Sequence, residues 1–588
     1  MRIFCVILCF LSVIYAIYLP GVAPKSYKEL EKVSLTVNSL RPMAGHISGS
    51  VLQYYKNVYI YDYYDSRFHF CNKYDAKPLP ESLGSIVFGD RIFTSDFEIF
   101  MAKDESCKLL CSTSIPPPDA KFVMKRIMEN YGINWLVDGL PAAGENYIDS
   151  IGSVYSLGFP LGKVVESTGA IEINNHYHIT IEYHKLGSSV YRVVGVTIKP
   201  SSRTSRIAPN GNIDCSSSYP YVLHENQNNY ITYTYDVSWK ESDVTWATRW
   251  DKYLHIYNPR IHWFNLFSSS IIVFFLIGMV ITVLARTLHR DIMRYNSDFF
   301  DQEELQEDSG WKLVHGDVFR IPGNPMLLSI FLGSGVQLFL MAFVTIFFAM
   351  LGFLSPSNRG SLSTFIIVLY TFFGFISGYV SARMYKSLGG QFWYVLKNLI
   401  LTPVFVPGIV FLTFSFLNFV LIGSRSSGVV PLRTMFVIVA LWFLISVPLS
   451  VFGSFCGFRA GSFVHPVKTN QIPRQIPTQV FYMKFLPSFF VGGILPFGAI
   501  FVELYFILNS IWFGRIYYMF GFLFICYAIM VTTCSTVTIL MTYMQLCSED
   551  YHWYGWWRSF FVGGASSFYA LYPLIFLYSD ITMNTNKI

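Results

Sequence analysis

The chain has 588 residues, a mean hydropathy of +0.41, 53% hydrophobic and 18% aromatic residues, and only 14% charged residues, where soluble proteins carry about a quarter. Lys and Arg number 43 against 37 Asp and Glu, a net charge of +6, and no dense basic tract or aromatic-interleaved basic stripe is present. This excludes an ordinary cytosolic enzyme and a nucleic-acid partner, and it describes a polytopic α-helical membrane protein with one large extramembrane domain.

In chain order, Arg2, the apolar run from Ile3 to Ile14 and the small Ala16 read as a signal peptide over 1–16. Residues 17–263 then have the texture of a lumenal β-rich, sandwich-like domain, with Gly, Pro, Asn and Asp at strand-like intervals. The clearest expected strand runs from Ile171 to His184. Its odd positions are mostly apolar and its even ones (Glu172, Asn174, His176, His178, Thr180, Glu182, His184) polar, which predicts a half-buried antiparallel strand. Further strands are expected over Tyr54–Tyr64, Val190–Ile198 and Tyr230–Trp239, and a helix over Asp119–Tyr131 behind the prolines 116–118.

From 264 to 588 the chain reads as a membrane domain. Apolar stretches of the length that a hydrocarbon core of roughly 30 Å demands recur at 266–285, 328–354, 362–382, 398–422, 434–455, 486–508, 516–541 and 559–580, eight expected spans. With the first domain lumenal, the expected cytosolic connections hold 13 basic residues and the lumenal ones, with the tail, five, the asymmetry that orientation requires. The lumenal domain keeps four cysteines, Cys71, Cys107, Cys111 and Cys215, which allow three disulfide pairings in an oxidising compartment.

Chemical signatures are sparse. No nucleophile elbow, zinc-protease helix, phosphate loop or dinucleotide fingerprint occurs, so no catalytic residue and no cofactor is assigned. His176, His178 and His184 share one strand face, but nothing completes a ligand set, so no metal is assigned either. Glu503, inside an apolar stretch, is the candidate intramembrane polar site, for proton or cation coupling or for a structural hydrogen bond. Gly374 with Gly378, and Gly453 with Gly457, have the spacing that lets helices approach closely, either within the bundle or against a client's transmembrane helix. Pro403, Pro407, Pro448, Pro496 and Pro573 predict kinks whose freed carbonyls must be satisfied inside the bundle. Asp301–Asp308 is an acidic run, and the segment 468–479, with Asn470, Pro473, Arg474 and Pro477, is barred from regular helix and reads as an ordered cytosolic cap or a partner site.

GDVFR at 316–320, TNQIPRQIP at 469–477, GGILPFGAIFVELYFILNSIW at 492–512 and EDYHW at 549–553 closely resemble the nonaspanins, the transmembrane nine superfamily. LGSIVFGDRI, GFPLG, NNHYHITIEYH, WATRWD, YKSLGG and HPVKTN extend the likeness over nearly the whole chain. The resemblance implies a lumenal β-rich domain, a nine-helix membrane domain, residence in Golgi or endosomal membranes, and work in sorting other membrane proteins, in adhesion and in phagocytosis. The expected partners are client membrane proteins, met through transmembrane helices, and the lipid bilayer. The sequence ends at NTNKI, without the ninth span and the Lys-x-Asp/Glu tail of the family, so binding of the retrograde coat is not expected. The rival expectation is a transporter or channel with a crevice near Glu503.

Overall fold

The computed structural model describes residues 24–43, 59–73, 75–87, 89–148, 152–165, 167–187, 189–204, 206–207, 213–215, 219–250, 259–295, 311–354, 360–512, 520–552 and 557–569. The expected signal peptide, the acidic run 301–308 and the expected eighth span beyond 569 lie outside them. The chain divides into two compact units: the β-rich part together with two later connections, Leu354–Ser361 and Leu421–Val430, and the remainder, which is helical.

The first unit is built on a six-stranded sheet. Its strands are β1 (Glu105–Ile115), β2 (Ala143–Ile148), β3 (Gly152–Leu157), β4 (His176–Leu186), β5 (Val190–Ser201) and β6 (Asn229–Glu241), in the order β3-β2-β5-β4-β6-β1. A four-stranded sheet of short strands around Leu35–Val37 and Trp135–Val137 accompanies it. The core is aromatic. Trp135 lies 4.7 Å from Phe97 and 4.8 Å from both Phe159 and Tyr177, centroid to centroid, contacts worth about 0.5–1.5 kcal/mol each beyond area burial.

The alternation in β4 is real on its inner face, where Tyr177, Ile179 and Ile181 are buried. The expected strand differs from the observed one in two respects. It is broken at Asn174 and Asn175, whose side-chain amides donate to the carbonyls of Pro160, Arg203 and Thr232. It is also central and mixed, antiparallel to β5 and parallel to β6, and His176 and Thr180 on the polar face are buried as well. No strand forms over 59–64: Tyr61 makes a single bridge to Leu40, and Tyr63 stacks on Phe70 at 4.4 Å. The helix α1 spans Pro117–Met128, with prolines in its first turn where no amide donor is needed. It stops before Tyr131 because Asn130 adopts a left-handed conformation, φ +55°.

Two disulfides, Cys71–Cys111 and Cys107–Cys215, tie β1 to sequence 40 and 108 residues away. The connection Leu421–Val430 is bonded to this unit through backbone carbonyls. Ser427 N and Ser426 Oγ both donate to Ile60 O, at 2.8 and 2.9 Å, and Arg91 donates to Val429 O at 2.7 Å.

The second unit contains α2 (Pro259–Tyr295), α3 (Pro325–Met350), α4 (Ser361–Ser387), α5 (Val395–Gly423), α6 (Leu432–Arg459), α7 (Phe485–Trp512), α8 (Phe520–Cys547) and α9 (558–569). Among the described residues six of these, α2 to α6 and α8, are long and apolar enough to cross a membrane. Within α6, residues Trp442–Ser446 form a π turn.

Candidate functional site

One end of the helical unit carries an ordered cap made from three connections. Asp317, fully buried, accepts from Arg320 at 2.6 and 2.9 Å. The same guanidinium donates to Asn470 O at 2.7 Å, and Asn470 Nδ2 returns a bond of 3.4 Å to Asp317. Phe319 packs on His465, ring centroids 4.6 Å apart. Further along, Arg474 pairs with Glu549 at 3.0 Å, and Tyr551 OH donates to Arg474 O. Next to this, Asp550 accepts from Arg558 and Gln545, both at 3.1 Å, while Arg558 also donates to Met483 O. The Asp550–Arg558 pair is buried, so its two charges depend on one another and on these hydrogen bonds.

Inside the unit, α4 runs beside α3, α5 and α6 and offers each a small polar surface. Asn398 of α5 is fully buried and donates to Ser329 and Ser381, both at 3.2 Å; Ser381 and Thr402 bond at 2.9 Å. The Asn398 Oδ1 acceptor has no partner among the described residues. One turn deeper, the carbonyl of Pro403, which Pro407 deprives of its helical donor, accepts from Trp442 Nε1 at 3.0 Å. The sequence requirement that freed carbonyls find partners in the bundle is met here by an indole at the start of the π turn.

In the first unit, His176 is held between Thr234 at 2.8 Å and Asp236 at 3.1 Å, with His178 3.6 Å from the same carboxylate. Burial pushes the His176 imidazole below its ordinary range. Asp236 stays well ionised: burial alone would raise it, but the Cys107 amide and the imidazoles hold it below the usual carboxylate range. Among the described residues no cluster of three His, Cys, Asp or Glu side chains has metal-binding geometry.

The family model for endomembrane protein 70 matches residues 60–586. Transmembrane 9 superfamily member 1 of Saccharomyces cerevisiae is 46% identical, over 96% of this chain and 89% of its own length. The human transmembrane 9 superfamily member 2 is 42% identical over 96% and 88%, and member 10 of Arabidopsis thaliana 41% over 97% and 89%. The chain belongs to the transmembrane 9 superfamily.

For this transmembrane 9 chain the residues singled out in the sequence are distributed as follows. Three of the motifs that carry the family likeness, GDVFR, TNQIPRQIP and EDYHW, converge in the cap. Asn470 and Arg474 bond there, whereas Pro473 and Pro477 shape an exposed extended path. The four cysteines all form disulfides. Glu503 lies in α7, and its side chain is outside the described residues.

The four glycines are engaged within the chain. A Cβ at Gly378 would overlap the Ser450 carbonyl, one at Gly453 the Phe375 carbonyl, and one at Gly457 the Tyr379 carbonyl, while at Gly374 it would meet Ser446 O at 3.3 Å. They make one parallel contact between α4 and α6, and the surface they could offer a client helix is already covered by that contact. Sequence reasoning missed the Asn398 cluster, although an Asn within an apolar stretch is the signal that could have found it. It also missed the Trp442–Pro403 bond, whose donor lies 39 residues away.

Proposed function

We propose that this multi-pass membrane protein is a trafficking factor that binds other membrane proteins and helps to sort and localise them in the Golgi and endosomal system, with roles in adhesion and phagocytosis, acting by binding and not by turnover. The observation that carries this reading is the outward side of α5. With the glycine contact closed between α4 and α6, no described residue covers one long apolar side of α5: Leu412 is 70% and Phe416 67% exposed, with Phe419 beside them. Such a side is open to lipid or to another transmembrane helix, so client exchange needs no cavity. The membership of the chain in the transmembrane 9 superfamily supports the same role. The two disulfides and the basic excess on the opposite connections support a lumenal first unit.

The test is a photoreactive residue at 412, 416 or 419 in the full chain, with position 450, which faces α4, as the internal control. Adducts with integral membrane proteins that mislocalise when this chain is depleted are expected from the α5 positions alone. Adducts with lipid only, or solute flux in proteoliposomes that Glu503→Gln abolishes, would replace the trafficking reading by a transporter.

A further inference from the structure

The starts of two apolar helices repeat one arrangement. Before α5, a 3-10 turn, Phe392–Tyr394, leaves Trp393 87% exposed, and Lys397 follows with its ammonium 4.7 Å from the Tyr394 ring centroid. Before α7, a 3-10 turn, Phe481–Met483, leaves Phe481 74% exposed with Tyr482 beside it, and the exposed Lys484 follows. Each lysine stands at the positive end of a helix, where its charge is unfavourable unless an anion accompanies it.

No such anion comes from nearby sequence, since the chain has no Asp or Glu between Asp317 and Glu503. The described carboxylates of the cap are already engaged, Asp317 by Arg320, Glu549 by Arg474 and Asp550 by Arg558. Among the described residues neither Lys397 nor Lys484 has an ion-pair partner. Each site therefore pairs a cation that no described carboxylate neutralises with large exposed aromatic rings at the start of an apolar helix. Aromatic rings of this kind settle at the depth of lipid headgroups, and lysine beside them meets the phosphate layer.

We propose that Trp393, Tyr394 and Lys397 at the start of α5, and Phe481, Tyr482 and Lys484 at the start of α7, bind anionic phospholipids of the leaflet in which those helix ends lie. The arrangement occurs twice, at the starts of different helices, which suits a leaflet better than a single acidic protein. The inference goes beyond the trafficking role and stands whether or not clients bind α5.

The experiment uses the full chain in nanodiscs of phosphatidylcholine alone or with a minority of phosphatidylserine, and counts co-purifying lipids by native mass spectrometry. Retention of phosphatidylserine over phosphatidylcholine is expected. Lys397→Gln/Lys484→Gln lowers it by roughly fivefold per lysine, Lys397→Arg/Lys484→Arg preserves it, and in pure phosphatidylcholine the Gln variant is no less stable to heat than wild type, because it has lost a charge that the helix ends disfavour. Equal retention of the two lipids, or a Gln variant indistinguishable from wild type, would overturn the proposal. Displacement of the retained lipid by millimolar inorganic phosphate would assign the sites to a free anion, and enrichment of an acidic protein in place of lipid would assign them to that partner; either overturns the lipid assignment.

Discussion

Trp442 Nε1 donates to the carbonyl of Pro403 across 3.0 Å, joining the helix that proline interrupts to the helix that carries the π turn. The acceptor has no helical donor because residue 407 is also proline. Trp442→Phe keeps most of the ring volume and removes the donor. We expect a loss of about 1–2 kcal/mol, read as a lower midpoint of thermal unfolding in detergent; an unchanged midpoint would mean that water serves the carbonyl equally well.

Close approach of α4 and α6 gives a second expectation. Gly378→Val or Gly453→Val forces a side chain into the opposing backbone, which cannot yield as a flexible side chain would. Each should cost more than about 2 kcal/mol or abolish the monodisperse protein. Gly335→Ala, where a Cβ meets nothing within 4 Å, should be neutral. Size-exclusion profiles and melting points of the three variants decide the matter.

A third expectation concerns acid. The folded-state pKa of His176 lies below the value of an unfolded histidine, about 6.5, so the unfolded chain takes up the proton first and stability falls as pH drops through that value towards the folded one. Asp236, also lowered, contributes stability that is present above about pH 3.9 and lost only below it. Below about pH 6.5 and above about pH 3.9, therefore, His176 and not Asp236 sets the sign of this pair's contribution. Hydrogen exchange of β4 amides in the full chain should accelerate over that interval in wild type and much less in His176→Asn; identical profiles would refute the assignment.

The buried pair in the cap supplies a fourth. Arg558→Leu strands the Asp550 carboxylate and should cost about 3–5 kcal/mol. Arg558→Leu/Asp550→Leu should recover much of the loss, because the apolar pair no longer holds an unpaired charge. Unfolding midpoints of the single and double variants test this, and a double variant no better than the single would show that the hydrogen bonds to Met483 and Gln545 matter more than the charge.

How far the sequence reached depended on the range of the forces involved. The apolar segments, the inner face of β4 and the proline-led α1 follow from local pattern and were legible. The break at Asn174 and Asn175 was not, because their side-chain amides bond the carbonyls of Pro160, Arg203 and Thr232, partners outside the local pattern. For the same reason the burial of His176 could not be read from alternation: it depends on Thr234 and Asp236 of the parallel neighbour β6, which lie some 60 residues on. The disulfide pairing was undetermined among three possibilities and was fixed by where β1 lies in the sheet. In the cap, the motifs could be named from sequence, but that Asp317, Arg320 and Asn470 share one knot depends on a connection 150 residues away. The glycine spacing announced close packing without saying which helix would occupy it, and that partner proved to be internal.

The bond between Ser426 and Ile60 joins positions 366 residues apart. A ribosome delivers the amino-terminal portion long before it delivers that serine, so the β-rich unit cannot be finished while it is being made. Its bonds to Ser426, Ser427 and Val429 form only after four further helices have been made. Maturation of this chain is thus tied to the completion of its own translation well into the second half of the message.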